Sequence, residues 1–171
     1  LERRILARLR KLPAPKTELA AVLVGDDAAS LSFLRQKERT AKLLGARFTL
    51  YRLSASLSQV ALERAVARIA AKRSVGGVIV QLPLPEKFDR VQVLNRIPIP
   101  KDVDVLNGEN SSVLAPAAGA TEEILREINW KPATTHAVIM GAGLLIGRPA
   151  ATWLMGKAAT LTVLRSGSPD F

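Results

Sequence analysis

A glycine-rich turn carries the clearest chemical signal in this sequence. Gly141, Gly143 and Gly147 follow an apolar run, and a helical pattern starts near Pro149. Backbone N–H groups at a helix start point outward and favour negative charge, and glycine lets a phosphate approach them closely. The spacing G-x-G-x-x-x-G is one residue longer than the usual dinucleotide fingerprint. The turn therefore predicts a phosphate or dinucleotide site, with a tight turn that serves only packing as the alternative.

A charged position follows the next apolar run. Residues 160–164 form that run, and Arg165 and Ser166 come directly after it. An acidic residue at such a position would bind the ribose hydroxyls of NAD, whereas an arginine suits the 2′-phosphate of NADP. The sequence therefore favours NADP over NAD as the cofactor.

Composition excludes several other kinds of site. The 171 residues contain no cysteine and one histidine, His136. Disulfides, thiolate metal sites, cysteine nucleophiles and multi-histidine metal centres are therefore excluded, and no metal is predicted. His136 precedes a predicted strand and is expected to be structural. No apolar stretch reaches the roughly 20 residues of a membrane helix, and no signal-peptide pattern is present, so a cytoplasmic protein without a membrane partner is expected.

The chain is strongly basic, with 25 Lys and Arg, 15 Asp and Glu and a formal net charge of +10. Such an excess favours anionic partners, namely nucleic acid, phosphorylated cofactors or polycarboxylates. A solvated basic surface explains the charge equally well. Aromatic residues make up only 4% of the chain, which leaves few stacking platforms for single-stranded nucleic acid.

Apolar runs and helical periodicities alternate along the chain and define the elements that must position these residues. The predicted strands are 19–24, 47–53, 77–82, 136–140 and 160–164. The predicted helices are 1–12, 28–45, 58–72, 90–97, 121–128 and 149–155. The expected caps are Ser30 and Thr121 at two helix starts and Gly45 at one helix end, and 101–120 is expected to be loop-like. This alternation predicts an α/β fold with parallel sheets covered by helices.

Three segments of the chain carry a family likeness. The first is V-L-V-G-D-D-A-A-S at 22–30, followed by S-F-L-R-Q-K at 32–37. The second is G-V-I-V-Q-L-P-L-P at 77–85, with K-D-V-D at 101–104, and the third is the glycine turn that ends in I-G-R-P at 146–149. In this order they resemble the bifunctional methylenetetrahydrofolate dehydrogenase/methenyltetrahydrofolate cyclohydrolase family, often called FolD.

The resemblance implies a parallel-sheet catalytic domain that binds folate over 1–120. A Rossmann-like NADP-binding domain, incomplete within these residues, is implied over 121–171. The implied activity is oxidation of 5,10-methylenetetrahydrofolate by NADP, then hydrolysis of the methenyl product to 10-formyltetrahydrofolate. A homodimer, with tetrahydrofolate derivatives and NADP as its small-molecule partners, is expected on the same ground.

The resemblance also implies roles for individual residues. The family's catalytic lysine falls on Lys37, its glutamine partner on Gln81 and its pterin-binding aspartate on Asp104, and all three are catalytic candidates. A lysine that burial and a hydrogen bond tune can move the protons of the hydrolytic step. The implied substrate-binding residues are Phe33, Leu82, Pro83 and Asp104. The implied cofactor-binding residues are Gly141, Ala142, Gly143, Arg165 and Ser166.

Each catalytic candidate also has a plainer interpretation. Lys37 could be a solvated helix lysine, Gln81 an edge glutamine with satisfied hydrogen bonds, and Asp104 a turn residue. The plainer interpretation is weaker for Gln81, because the carboxyl ends of parallel strands face the ligand crevice.

The sequence departs from the family pattern at several positions. Phe33 stands where the family usually has tyrosine, so a ring for stacking is kept and a hydroxyl is lost. Val105 follows Asp104 where the family has glycine, and the family's Pro-Cys-Thr-Pro segment reads P-A-A-G at 116–119. These departures leave open a non-catalytic FolD-like protein that binds folate or nucleotide. A basic nucleic-acid-binding module is the third interpretation, and it rests on net charge alone.

Overall fold

The computed structural model describes residues 1–107 and 113–168. The helices are α1 Glu2–Leu9, α2 Ala28–Leu43, α3 Gln59–Ala70, α4 Arg90–Leu94, α5 Pro116–Glu127 and α6 Gly147–Leu154. The strands are β1 Glu18–Val24, β2 Arg47–Leu53, β3 Val75–Val80, β4 His136–Met140 and β5 Thr160–Leu164. Short 3-10 turns lie at Ile99–Lys101 and Pro132–Thr134. The described residues form two compact units, one within 2–111 and one within 112–171.

The first unit is built on a three-stranded parallel sheet with the order β2-β1-β3. Strand β1 pairs with β2 from Glu18 opposite Arg47 onward. It pairs with β3 from Glu18 opposite Val75, and the register shifts before Leu19 opposite Gly77. The central strand reads as a continuous apolar run because both of its faces are buried. The predicted α/β class with parallel sheets is therefore confirmed.

Two apolar cores flank this sheet. The larger core joins one face of the sheet to α3 and α4, and the smaller core joins the other face to α2. The larger core includes Val22, Leu62, Val66, Val78, Val93 and Leu94. The smaller core includes Leu23, Leu34 and Ile79, with Val103 packed against it. Because Val103 belongs to the segment after the first 3-10 turn, the smaller core anchors that segment to the sheet.

The N-cap of α2 is Asp27 rather than the predicted Ser30. The Asp27 carboxylate accepts the backbone N–H of Ser30 at 2.7 Å. Asp27 keeps a non-helical backbone and so reaches an unpaired N–H of the first turn, whereas Ser30 is already inside the helix and 2% exposed. Gly45 follows the helix with a φ of +69°, as expected of a helix-terminating glycine.

Helix α5 begins at Pro116, so the predicted start at Thr121 is wrong. Proline is favoured in a first helical turn because its missing N–H would be unpaired there. Thr121 lies inside the helix, where its hydroxyl donates to the carbonyl oxygen of Ala117 at 2.9 Å. The loop predicted over 101–120 is correspondingly shorter, and its residues 108–112 lie outside the described part of the chain.

The second unit contains a two-stranded parallel sheet in which β4 pairs with β5. Helix α6 connects the two strands, and α5 contacts α6. His136, expected to be structural, lies on β4 with its ring against the hydroxyls of Thr160 and Thr162. Within the described residues no helix combines the length and the apolar character needed to span a membrane.

Candidate active site

Lys37 lies on the inward-facing stripe of α2. Ser30, Leu34 and Ala41 are buried along this stripe, and Lys37 falls between the last two because residues three and four apart share a helix face. Its side chain is half-buried, whereas the other basic residues of α2 are exposed. The lysine therefore occupies a position that differs from that of a solvated surface lysine.

Phe33 lies one helical turn before Lys37 and exposes 61% of its surface. Side chains four residues apart on a helix are neighbours, so the phenyl ring lies on the same side of α2 as the lysine. A ring in this position is available to stack on a planar ligand.

Asp104 follows the 3-10 turn and is half-buried. Burial raises the pKa of its carboxyl above the ordinary value, while the nearby Lys37 ammonium lowers this pKa and the Asp102 carboxylate raises it. The net direction is upward. The charge of Lys37 thus acts on Asp104 from a different element, and the carboxyl takes up a proton more readily than an ordinary aspartate.

Gln81 stands directly after β3, one residue past the strand's end. Its backbone N–H donates to the carbonyl oxygen of Val22 at 2.9 Å, which extends the ladder. Its side-chain Nε2 donates to the carbonyl oxygen of Leu82 at 2.7 Å. Its Oε1 is buried and accepts no hydrogen bond from the described residues, Lys37 included. A buried acceptor without a donor costs about 1–3 kcal/mol, so a donor supplied by a ligand would be favourable here.

Leu82 and Pro83 continue the chain after Gln81 and are joined by a cis peptide bond. Leu82 is half-buried and Pro83 is exposed. The Gln81 amide is bonded to Leu82, and Pro83 follows directly beyond the end of β3. The two substrate-binding candidates therefore lie next to the glutamine.

The K-D-V-D segment also contains two anchoring residues that sequence reasoning missed, Lys101 and Asp102. Lys101 donates from Nζ to the carbonyl oxygens of Ala70 at 2.6 Å and Lys72 at 3.0 Å, at the end of α3. Asp102 forms an isolated parallel bridge with Val78 of β3. These contacts attach the segment to the first unit. The motif indicated a functional segment, but the sequence of these four residues does not distinguish the anchoring residues Lys101 and Asp102 from Asp104.

The glycine turn between β4 and α6 is the second candidate site. Gly141 has a φ of +103°, which favours glycine, and its N–H donates to the carbonyl oxygen of Leu164 at 2.8 Å. A Cβ at Gly147 would come within 1.8 Å of the Gly141 carbonyl oxygen, so packing alone requires this glycine. A Cβ at Gly143 would meet nothing within 4 Å. Packing therefore explains Gly147 but not Gly143, which faces open space.

Arg148, another residue that sequence reasoning missed, is bonded to this turn. Its Nε donates to the carbonyl oxygen of Ala142 at 3.2 Å, and its backbone N–H donates to the carbonyl oxygen of Gly143 at 3.0 Å. Both bonds hold the turn against the first turn of α6. The available signal was its place directly after Gly147, at the predicted helix start.

Arg165 and Ser166 are exposed directly after β5. Because the carbonyl oxygen of Leu164 accepts the Gly141 N–H, Arg165 lies beside the glycine turn. The carboxylates in the described part of this unit all belong to α5. An open backbone at Gly143 and a neighbouring positive charge fit the phosphates of a dinucleotide.

Comparison with known proteins identifies relatives for these two units. Residues 1–104 match the family model of the tetrahydrofolate dehydrogenase/cyclohydrolase catalytic domain. The chain is 36% identical over 179 residues to the bifunctional protein FolD of Acidiphilium cryptum, an alignment that covers 99% of this chain and 63% of that protein.

Solved structures give the same picture. The bifunctional FolD methylenetetrahydrofolate dehydrogenase/cyclohydrolase of Campylobacter jejuni aligns with a TM-score of 0.87 at 28% identity, over 98% of this chain and 65% of that one. The Trypanosoma brucei methylenetetrahydrofolate dehydrogenase-cyclohydrolase, complexed with NADP cofactor and inhibitor, aligns with a TM-score of 0.85 at 28% identity, over 98% and 62%. The chain thus spans less than two thirds of the length of these three relatives.

Proposed function

This chain belongs to the tetrahydrofolate dehydrogenase/cyclohydrolase family, and we propose that it acts on folate in one-carbon metabolism. The proposed reactions are NADP-dependent oxidation of 5,10-methylenetetrahydrofolate and hydrolysis of the methenyl product to 10-formyltetrahydrofolate. The observation that carries the proposal is the half-buried carboxyl of Asp104, which burial makes easier to protonate and on which the charge of the half-buried Lys37 acts. The unsatisfied Oε1 of Gln81 is a further polar group that suits a ligand.

In the proposed hydrolysis, water adds to the methenyl carbon and the adduct loses one of its carbon–nitrogen bonds. A proton must leave the water, and a proton must reach the nitrogen that is released. We assign this proton movement to Nζ of Lys37, because a positioned acid or base is what the step requires. The Gln81 Oε1, which is buried and accepts no hydrogen bond from the described residues, is assigned to accept one from the water or the lysine.

The oxidation step requires less proton transfer by side chains of the protein than the hydrolysis does. When NADP is bound, its nicotinamide supplies the hydride acceptor. The chain then has to hold the reacting folate carbon in position. The residues proposed for this task are Phe33, Leu82, Pro83 and Asp104, with the exposed phenyl ring stacking on the flat aminobenzoyl group.

The second unit is proposed as the cofactor site, with 121–171 forming a Rossmann-like nucleotide-binding region and 1–120 binding folate. The proposed NADP contacts are Gly141, Ala142, Gly143, Arg165 and Ser166. The open space at Gly143 and the exposed Arg165 support them. Dissociation constants for NADP and NAD, measured at several salt concentrations, test the preference. Equal affinities, or tighter NAD binding, would count against Arg165 as the selective group.

A homodimer in the cytoplasm completes the proposal. Strand β2 lies at the edge of its sheet, and within the described residues it pairs only with β1. An open edge strand can pair with a second copy, and Phe48 and Leu50 on this strand are only half-buried. Sedimentation equilibrium tests the dimer, which should have about twice the 18.4 kDa mass of the chain. A fluorescent fusion tests the compartment.

The proposed chemistry is tested directly with the purified chain. Loss of methenyltetrahydrofolate absorbance measures hydrolysis, appearance of NADPH absorbance measures oxidation, and titration calorimetry measures folate binding. Hydrolysis above the uncatalysed rate supports the enzyme. Folate binding with no turnover in either assay supports the non-catalytic binding protein instead, and absence of folate binding would overturn both.

A further inference from the structure

Asp102 is 4% exposed and takes no part in the chemistry proposed above. Its Oδ2 accepts the backbone N–H groups of Leu106 at 2.8 Å and Asn107 at 3.0 Å. Both donors lie after Asp104 in the chain, so the carboxylate closes a loop around that residue. Aspartates are almost never this buried unless they are paired, which makes these two bonds the reason that Asp102 is tolerated here.

The beginning of the same loop is anchored independently. The Asp102 N–H donates to the carbonyl oxygen of Pro98 at 3.1 Å, and Lys101 is bonded to the end of α3. Val103 lies over Gly77, where an added Cβ would approach its Cγ1 to 2.7 Å. The loop over 102–107 is therefore fixed at its start by the sheet and at its end by the Asp102 carboxylate.

This closure acts against the backbone preference of one residue. Val105, between Asp104 and the two bonded N–H groups, has a φ of +55°. A β-branched residue is disfavoured in this left-handed region. Such a conformation persists only where the surroundings over-determine it, and here the fixed ends of the loop do so.

We propose that Asp102 is a positioning residue for Asp104. Its carboxylate holds the loop over 102–107 closed against the strain at Val105 and thereby keeps the Asp104 carboxyl half-buried on the side of the sheet that packs against α2. Without this clamp, Val105 relaxes to a negative φ and the Asp104 carboxyl turns toward solvent. The inference rests on the proposed function, because the position of Asp104 matters for activity only if this residue contacts folate.

A pair of substitutions isolates the clamp. Asp102→Asn keeps an oxygen that can accept both N–H groups, whereas Asp102→Ala removes it, and both changes remove the same negative charge. Titration of the Asp104 carboxyl, followed by carbon NMR, reports its surroundings without any folate. We expect Asp104 in the Asn variant to keep a pKa above the ordinary aspartate value of about 3.9. In the Ala variant the pKa should fall to that value.

The kinetic readout follows the same comparison. For methenyltetrahydrofolate hydrolysis, the Asp102→Ala variant should have a KM about tenfold higher than wild type and a smaller change in kcat. The Asp102→Asn variant should have a KM within about threefold of wild type. Identical titrations and identical KM values in the two variants would overturn the proposal. If the wild-type chain binds no folate, the proposed function is wrong. The NMR comparison of the two variants would still test whether Asp102 positions Asp104.

A double variant guards against loss of folding in the Ala variant. In Asp102→Ala/Val105→Gly, glycine adopts the left-handed φ without penalty, so closure no longer has to overcome strain. We expect the Asp104 titration of this variant to return toward that of the Asn variant. If Asp104 instead titrates as an ordinary solvated aspartate in the double variant, the clamp does not act against strain at Val105 and the proposal fails.

Discussion

Val103 lies so close over Gly77 that a Cβ added to the glycine would come within 2.7 Å of the valine Cγ1. Gly77→Ala should therefore displace Val103 and with it the loop that carries Asp104. We expect the free energy of unfolding to fall by about 1–3 kcal/mol, the usual cost of overpacking, and folate affinity to fall as well. Urea denaturation and titration calorimetry measure the two effects.

Gly119 provides the control for this substitution. It lies inside α5, where an added Cβ has only ordinary space to fill, with Leu114 Cβ at 4.0 Å. Gly119→Ala should raise the free energy of unfolding by about 0.5–1 kcal/mol, because alanine loses less entropy in a helix. Equal destabilisation by both substitutions would show that the Val103–Gly77 contact is not the cause.

Lys37→Met should abolish methenyltetrahydrofolate hydrolysis and leave the fold intact. Loss of a positioned acid or base costs about 10²–10⁴ in rate, and methionine retains the apolar stem of the half-buried lysine. Lys42→Met is the matched control, since this lysine is on the same helix, exposes 71% of its side chain and pairs with Glu38. Unchanged hydrolysis in Lys37→Met, followed by absorbance, would remove the lysine from the mechanism.

Phe33→Tyr should raise the hydrolysis rate and change folate affinity little. The phenyl ring already supplies stacking, worth about 0.5–1.5 kcal/mol beyond area burial, and tyrosine adds a hydroxyl on the same side of α2 as Lys37. An interaction made only in the transition state raises kcat without tighter substrate binding. An unchanged hydrolysis rate would show that the hydroxyl has no catalytic role. A loss of both hydrolysis rate and folate affinity would indicate that the pocket is shaped around phenylalanine.

Gly143→Ala and Gly147→Ala should separate cofactor binding from folding. The space around Gly143 is open, so its substitution should raise the dissociation constant for NADP about tenfold and leave the melting temperature unchanged. At Gly147 the added Cβ would strike the Gly141 carbonyl oxygen, so the second unit should be destabilised with or without NADP. Calorimetric titration and thermal melts test the pair, and unaltered NADP binding in Gly143→Ala would contradict the proposed site.

Asp104→Asn should make the chain more stable near pH 7. Burial raises the pKa of this carboxyl, so its contribution to stability is complete below the unfolded-state pKa of about 3.9 and is lost as the pH rises through the folded-state pKa. Asparagine does not ionise and avoids that loss. Urea denaturation should therefore show a gain at pH 7.5 that vanishes near pH 3, together with weaker folate binding. A less stable variant at pH 7.5 would mean that attraction to Lys37 outweighs burial.

Strand positions were readable from the sequence where apolar runs end at turn residues. The predicted bounds 47–53, 136–140 and 160–164 agree with β2, β4 and β5. Helix starts were less readable, because Asp27 and Ser30 are both good capping residues. The backbone leaving β1 decides between them, and no local pattern encodes that direction.

Only those residues of the candidate site that belong to a recognisable sequence motif could be predicted. Lys37 and Asp104 were named through family resemblance, since they are distant in sequence and share one side of the sheet only because α2 and the loop both pack there. Asp102 was missed because its burial depends on closure of that loop. Arg148 was missed because its bond to Ala142 depends on the path of the glycine turn.

The different surroundings of Gly143 and Gly147 also bear on how this sequence can change over generations. Any side chain at Gly147 collides with backbone, so selection for folding alone keeps that position as glycine, whatever ligand the turn serves. Side chains can appear at Gly143 without such a penalty. Substitutions that change the ligand preference of this turn can therefore arise at Gly143, while Gly147 keeps the backbone geometry of the turn unchanged.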